Sequence, residues 1–397
     1  MTHTNGLRIL LTLALAVVLT GCATQEQKKQ VMADKWEKST LDSRLAMIEG
    51  LIERGQTAEA KNALDKCLAA NPESAKAHFL MGRVHFIENR NAQAEQAFER
   101  AVALDETMDA AWYYRGGLAF LNGDTAMAGT YYEKALSLKP AETDYFLAKA
   151  QLLMQTGDSP AAIAMLEQAM AQQPRNRDLL VCLADVYGRT EQPQKAIACY
   201  EKALLVDSKD QPVLESLGYA YAAQKNWDKA TTTFERLLAV VGEGDRKEAV
   251  LNTLALCAMN AGKYALAMRC YDALTVMRRD DAEAWLGMAQ AAMGADQFDR
   301  AAACAQKALQ LHPSWPQGYA VLGSAQYLQK KYTAALNTFA NLLNDDEFGG
   351  FAWFMTGRCY GRMGQTAKAD AAYKRAGDRS ADSPLVERFL KDKTGAM

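Results

Sequence analysis

The residues of this sequence able to do chemistry are few and scattered. It has four histidines and eight cysteines. His78 and His85 stand seven apart, so a helix would place them on one face, as a metal-binding pair requires. His3 lies at the extreme N-terminus, and His312 precedes Pro313. No nucleophile, base and orienting acid form a recognisable set, and neither a phosphate-binding glycine loop nor zinc-type spacing occurs. The expectation is a chain without catalytic activity of its own, without metal and without cofactor.

One cysteine is set apart by its surroundings. Residues Ile9 to Leu19 are apolar except for Thr12. This run is far shorter than the roughly 20 residues a helix needs to cross a bilayer. Arg8 precedes it and small residues follow, which is the layout of a secretory signal. The segment then ends in Leu19-Thr20-Gly21-Cys22. That ending resembles the lipobox of bacterial lipoproteins, in which the cysteine becomes the lipid-bearing N-terminus. The resemblance implies cleavage after residue 21 and lipidation of Cys22. One acyl chain, at about 0.8 kcal/mol per buried CH₂, holds a protein only marginally, whereas several chains hold it firmly. In that family an Asp after the cysteine favours the inner membrane. Ala23 stands there instead, so the resemblance implies the outer membrane, facing the periplasm. Residues 22–40 are mostly polar, with Val31, Met32 and Trp36 as their large apolar groups. They read as a tether leading into a helix.

Removal of residues 1–21 takes away Arg8 and no acidic residue, moving the formal charge from −2 to −3. So slight an acidity offers nucleic acid no basic footprint. The chain is 49% hydrophobic and 23% charged, with 9 prolines, which is a globular composition. Its length would suit two or three ordinary domains, unless it grows by repetition.

Repetition is what the sequence shows. Ala60, Ala94, Ala128, Ala162, Ala196 and Ala230 follow one another at intervals of 34 residues. After a step of 37 the series resumes with Ala267, Ala301, Ala335 and Ala369. Twelve residues before each stands a small residue, such as Gly82, Gly116, Ala150 or Gly218, with Ile48 as the departure. Four residues after stands a large one, such as Phe98, Tyr132, Leu166 or Phe234, with Ala305 as the exception. Spacings of four and seven lie on one helical face. Small residues let two helices approach, and the large one is expected to fill the gap toward the neighbouring repeat. Gly55, Asn89, Gly123, Gly157, Gly262, Asp296 and Gly364 share a phase that suits a left-handed turn between two helices. Pro72, Pro140, Pro174 and Pro313 share another, where the second helix stops.

A period of 34 residues with this pattern resembles the tetratricopeptide repeat family over residues 41–383. The fold expected from it is all-α: a right-handed superhelical solenoid of about ten helix-turn-helix repeats. Their starts fall near Leu41, Ala75, Asp109, Thr143, Arg177, Gln211, Glu248, Ala282, Pro316 and Gly350. Residues 384–397 would supply a capping helix and tail, with Ser383 as N-cap and Pro384 at the first helical position. Three extra residues near Val241–Arg246 include two glycines. They read either as a tolerated loop insertion or as a hinge dividing repeats one to six (41–247) from seven to ten (248–383).

The repeat phase also interprets the chemical residues. His78 and His85 occupy core positions filled elsewhere by Trp112, Trp285, Tyr187 and Tyr221, which favours packing. Besides Cys22 there are Cys67, Cys182, Cys199, Cys257, Cys270, Cys304 and Cys359. Cys199, Cys270 and Cys304 share one position and Cys257 and Cys359 another, as small apolar fillers would. In an oxidising periplasm pairing is chemically open, and Cys182 with Cys199 is the candidate disulfide. An odd total leaves at least one thiol unpaired within a monomer.

In the family the first helices of the repeats line a groove. By phase the groove residues here are Phe79, Arg83, Phe86, Tyr113, Phe120, Met154, Tyr219, Asn252, Met259, Met293, Tyr327, Phe354 and Arg358. Aromatic, Met and Arg side chains suit a protein partner. The alternative for each is packing between neighbouring helices. The carboxylate clamp of some family members is absent, since Asn252 has no matching Lys beside it. The expected function is a non-catalytic, lipid-anchored scaffold that helps a multiprotein envelope complex assemble, of the pilus, secretion or outer-membrane assembly type. The alternative is a factor of cell-wall or polysaccharide metabolism that tethers an enzyme or binds glycan. For the latter, Asp178, Asp185 and Glu215 lie beside Tyr219. Replacing Cys22 by Ser should move the chain from the membrane pellet to the soluble fraction, without an acylated N-terminal peptide. Unchanged sedimentation with the membrane would contradict the lipobox reading.

Overall fold

The computed structural model describes residues 40–379. The leader, Cys22 with its tether, and the expected helix after Pro384 lie outside the described residues. The described chain is helical throughout, without a strand. Its helices are α1 (40–53), α2 (Thr57–Ala70), α3 (Ala75–Ile87), α4 (Asn91–Leu104), α5 (Asp109–Leu121), α6 (Thr125–Leu138), α7 (Thr143–Gln155), α8 (Ser159–Gln172) and α9 (Arg177–Arg189). There follow α10 (Pro193–Val206), α11 (Gln211–Ala223), α12 (Trp227–Val240), α13 (Asp245–Asn260), α14 (Tyr264–Met277), α15 (Ala282–Gly294) and α16 (Phe298–Leu311). The last are α17 (Pro316–Leu328), α18 (Tyr332–Phe339) with a 3₁₀ turn at Ala340–Leu342, α19 (Gly349–Arg362) and α20 (Thr366–Arg379). Odd-numbered helices open the repeats and even-numbered ones close them. The chain divides into two compact bodies, one reaching Cys182 and the other beginning at Leu183.

The repeated alanines are buried in every repeat, from Ala60 at 0% exposure to Ala369 at 4%. They form the contact where the two helices of a repeat touch. The small and large positions flanking them fit one another by size. A methyl group added at Gly82 would stand 2.5 Å from the Phe98 ring, and one at Gly116 would stand 2.6 Å from Tyr132. The same holds for Gly218 beneath Phe234, Gly323 beneath Phe339 and Gly357 beneath Tyr373. Each ring thus rests on the bare backbone of the first helix of its own repeat. Where the small position is Ala150, the large one shrinks to Leu166. Tyr271 follows a third arrangement: its repeat carries Ala255, and the ring settles against Gly287 of the next repeat.

This finding amends the expectation that the large residue mainly fills the space toward the neighbouring repeat. It does reach that neighbour in places, as Phe98 stacks on Tyr114 at 5.1 Å. Its seat, however, lies within its own repeat.

The turns follow the expected phase and extend it. All of Gly55, Asn89, Gly123, Gly157, Gly262, Asp296 and Gly364 have positive φ. So do Glu191, Lys225 and Lys330, at 56°, 55° and 64°. These three carry a Cβ where glycine would be relaxed. Beyond the turn, Asp124, Asp158 and Asn226 cap the second helix through backbone N–H groups of Met127, Ala161 and Lys229.

A second recurring device ties the loop between repeats to the next helix. The Trp112 indole N–H donates to the Glu106 carbonyl at 3.0 Å, and that of Trp285 donates to Arg279 at 3.2 Å. The Tyr319 hydroxyl does the same to Pro313 at 2.9 Å. His78 belongs to this series, with Nε2 2.9 Å from the Pro72 carbonyl. A carbonyl only accepts, so Nε2 carries the proton. The histidine holds a loop.

Two predictions follow from this packing. Gly218→Ala should destabilise the protein by ~1–3 kcal/mol through overpacking. Adding Phe234→Leu, which recreates the Ala150–Leu166 pair, should recover at least ~1 kcal/mol beyond additivity in denaturant unfolding. Additive effects would show that the two positions do not share a seat. The second concerns alkali. Burial raises Tyr132 from 10.0 to about 12, and raises the Cys270 and Cys359 thiols from 9.0 to about 11. The unfolded chain therefore loses these protons first. Their contribution to stability is intact below pH 9 and lost as pH climbs through about 11 to 12. Thermal midpoints should fall across that window, and a flat profile would contradict the assignment.

Candidate functional site

The groove positions are the ones three or four residues apart along the first helix of each repeat, so each helix offers one stripe. In the first body the stripe is largely knitted together. Phe79 is buried, against Phe98 and Tyr114 at 5.8 Å each. Phe86 meets Tyr114 edge-on at 5.6 Å, and Tyr113 stacks on Tyr145 at 4.9 Å. Both Phe86 and Tyr113 are half-buried, as are Phe120 and Met154. Arg83 lies 3.2 Å from Glu49, which also holds Lys76 at 3.3 Å. Ile87 and Leu121, next to Phe86 and Phe120, are 49% and 62% exposed. They continue the apolar stripe outward.

The second body also exposes large side chains along its stripe. Tyr219 is 51% exposed and rests edge-on against Phe234 at 5.3 Å. Asn252 is exposed, while Met259 and Met293 are half-buried. Leu256 is 58% exposed and holds, in its repeat, the place Tyr219 holds in the one before. Reading the sequence for aromatic, Met and Arg groups passed over Leu256, although its phase marks it.

Three expected groove residues belong to the core instead. Besides Phe79, Tyr327 and Phe354 are buried at 7% and 4% exposure. Phe354 lies 5.8 Å from Tyr373, the ring seated on Gly357. Where the ring of the second helix rests on glycine, it leaves room for the aromatic one turn away on the first helix to fold inward. Arg358 is half-buried with its guanidinium 5.1 Å from the Tyr327 ring, so it covers that ring from the outer side.

The carboxylates weighed for glycan binding are all engaged. Asp185 accepts from the Tyr200 hydroxyl, Glu215 pairs with Arg246 at 3.3 Å, and Asp178 with Arg177 at 2.7 Å. Among the cysteines, Cys67, Cys199, Cys257, Cys270, Cys304 and Cys359 are buried and Cys182 is half-buried. The Cys304 sulfur lies 3.4 Å from that of Met288. Burial pushes the Cys257 and Cys304 thiols up as well, which suits fillers of helix contacts and makes them poor nucleophiles. Cys182 and Cys199 stand on either side of the division between the bodies. His85 is half-buried, and burial lowers its pKa. His312 is exposed beside Trp315. No cluster of three or more His, Cys, Asp or Glu groups able to hold a metal occurs among the described residues.

Comparison with known proteins agrees with this architecture. The tetratricopeptide repeat family matches residues 45–109, 88–143, 252–316 and 286–346, and a further tetratricopeptide repeat description matches 351–383. The N-terminal repeat region of Psidin matches 119–243. The type IV pilus assembly protein PilF of Pseudomonas aeruginosa is 38% identical over 71 residues, which are 18% of this chain and 28% of that protein. Little more than a quarter of that relative's length is therefore spanned. Among solved structures, PilW, a type IV pilus biogenesis factor, aligns at a TM-score of 0.47 and 18% identity, covering 53% of this chain and 98% of its own. YrrB, described as having an unusual peptide-binding site, aligns at a TM-score of 0.38 and 17% identity, covering 51% and 98%. The repeat models together account for most of the described residues, and the paired helices follow the same plan: the chain belongs to the tetratricopeptide repeat family.

Proposed function

We propose that this protein is a non-catalytic scaffold, lipid-anchored through Cys22 in a bacterial envelope, that holds a protein partner on the first helices of its repeats. The observation that carries this reading is the pair Tyr219 and Leu256. Two successive repeats of one body hold a large apolar side chain more than half exposed at the same position. Burying such groups on a partner is worth ~1.5–3 kcal/mol each at full burial, which makes a short row of them a binding surface. Asp178, Asp185 and Glu215 are engaged by Arg177, Tyr200 and Arg246, which favours holding over turnover. The leader and Cys22 supply the address, and the lipid fixes the scaffold at a membrane. The 71-residue likeness to PilF supports a place in pilus assembly among the envelope machines.

The test uses the lipid-bearing protein in its own envelope, with a photoreactive phenylalanine at Leu256 or Tyr219. One envelope protein should dominate the adducts, and its loss from the cell should abolish them. Tyr219→Asp with Leu256→Asp should weaken capture of that partner at least ~30-fold, the scale of a hot spot, while thermal stability changes little. Undiminished capture would place the partner elsewhere and sink this reading.

A further inference from the structure

The end of the second body carries a feature the scaffold reading leaves unexplained. Gln290 and Met293 of α15, Ala320, Val321 and Ser324 of α17, and Phe351 of α19 line one shallow trough across three successive repeats. Its walls are mostly aliphatic and aromatic, with the amide of Gln290 and the hydroxyl of Ser324 as polar groups. No carboxylate lines it. One turn beyond Ser324 the same stripe reaches Tyr327, and there two cations gather. Arg358 lies over the Tyr327 ring at 5.1 Å, and the Arg362 Nε–H donates to the Tyr327 hydroxyl at 3.5 Å. Arg358 and Arg362 sit one helical turn apart and at least partly in solvent. Neither makes an ion pair with a carboxylate among the described residues. By contrast, Arg83, at the equivalent place in the first body, is paired with Glu49.

Two guanidiniums without a counter-ion among the described residues, at the end of an apolar trough, are complementary to one kind of occupant. We propose that the trough across α15, α17 and α19 takes an apolar side chain of a partner segment whose neighbouring Asp or Glu is held by Arg358 and Arg362. This inference rests on the protein-binding reading and deepens it by naming the chemistry of the segment. Arg358 is already stacked on Tyr327, so its fork is oriented before the partner arrives. A guanidinium fixed in this way loses less freedom on accepting a carboxylate, and its paired N–H groups match that group geometrically. The trough is shallow and broadly open to solvent, so a chain can lie along it and continue past the arginines. The negative charge then comes from a side chain in mid-segment.

The test places the photoreactive phenylalanine at Val321 in the full-length, lipid-bearing protein in its own envelope, and sequences the adduct. The cross-linked segment should carry an apolar residue at the adduct and an Asp or Glu within about one helical turn, ~4 residues. Two double variants then isolate the charge. Arg358→Lys with Arg362→Lys and Arg358→Gln with Arg362→Gln both lose the guanidinium stacking, and only the first keeps the cations. The Gln pair should give at least tenfold less adduct than the Lys pair. Equal yields from the two pairs would overturn the proposal, as would an adduct with lipid, glycan, a chain terminus or a segment without carboxylates. If Val321 yields nothing while Leu256 still captures its partner, this inference fails and the scaffold reading survives. If neither position yields a protein adduct, both fail.

Discussion

The seating of an aromatic ring on a bare stretch of helix backbone governs this architecture. Glycine at the small position lets the two helices of a repeat come close enough for the ring to lie flat between them. The contacts Gly82–Phe98, Gly116–Tyr132, Gly218–Phe234, Gly323–Phe339 and Gly357–Tyr373 leave no space for even one added methyl. Interiors are packed as densely as crystals, so a methyl gained at the small position calls for a smaller partner or, as with Tyr271, a ring seated elsewhere. Ala150 with Leu166 is the same solution with volume moved from one partner to the other. A repeat built this way holds part of its core within itself. The alanines that repeat with the ring are buried throughout the array.

Much of this was legible as recurrence. The fixed phase of Ala, the small residue before it and the large one after it give two helices per repeat, and Gly55, Gly123 and Gly157 mark the turns between them. The pairing of small with large was not legible, because each position taken alone is only a preference. Nor were the left-handed turns at Glu191, Lys225 and Lys330. There an ordinary side chain adopts a costly φ because the packed helices on both sides dictate the turn. The groove was read with mixed outcome for a related reason. A residue such as Phe79 or Phe354 shares its phase with exposed neighbours, and what lies beneath it decides whether it folds inward. Leu256 escaped notice because its chemistry is plain, and only its exposure makes it interesting. Residues outside 40–379, Cys22 among them, rest on the sequence alone.

The two bodies distribute their charge and apolar surface differently. In the first, Lys76 and Arg83 are met by Glu49, Arg115 by Glu95 and Lys149 by Glu133, and the aromatic side chains bind one another in a chain from Phe86 through Tyr114 and Tyr113 to Tyr145. Ile87 and Leu121 are apolar groups left exposed along it. In the second, Tyr219 and Leu256 stand exposed, and Arg358 and Arg362 have no acidic counterpart among the described residues. An array of repeats on one plan can therefore hold quite different surfaces, because the residues that build the repeat and those that face outward occupy largely different phases of the same helix, with positions such as that of Phe79 and Asn252 going either way. Selection can act on the second set with little effect on the first.

In five repeats the ring and its glycine lie within the repeat rather than across a boundary, and this bears on how such a chain lengthens. A stretch of gene encoding one whole repeat carries both halves of its own lock. Duplicated in frame, it adds a module that needs only a tolerable fit to its neighbours. A crossover that falls between the two helices would instead separate a bulky ring from its socket, and the product would be purged. Recombination should leave breakpoints in the loops between repeats, and length variation among descendants should come in whole multiples of the period.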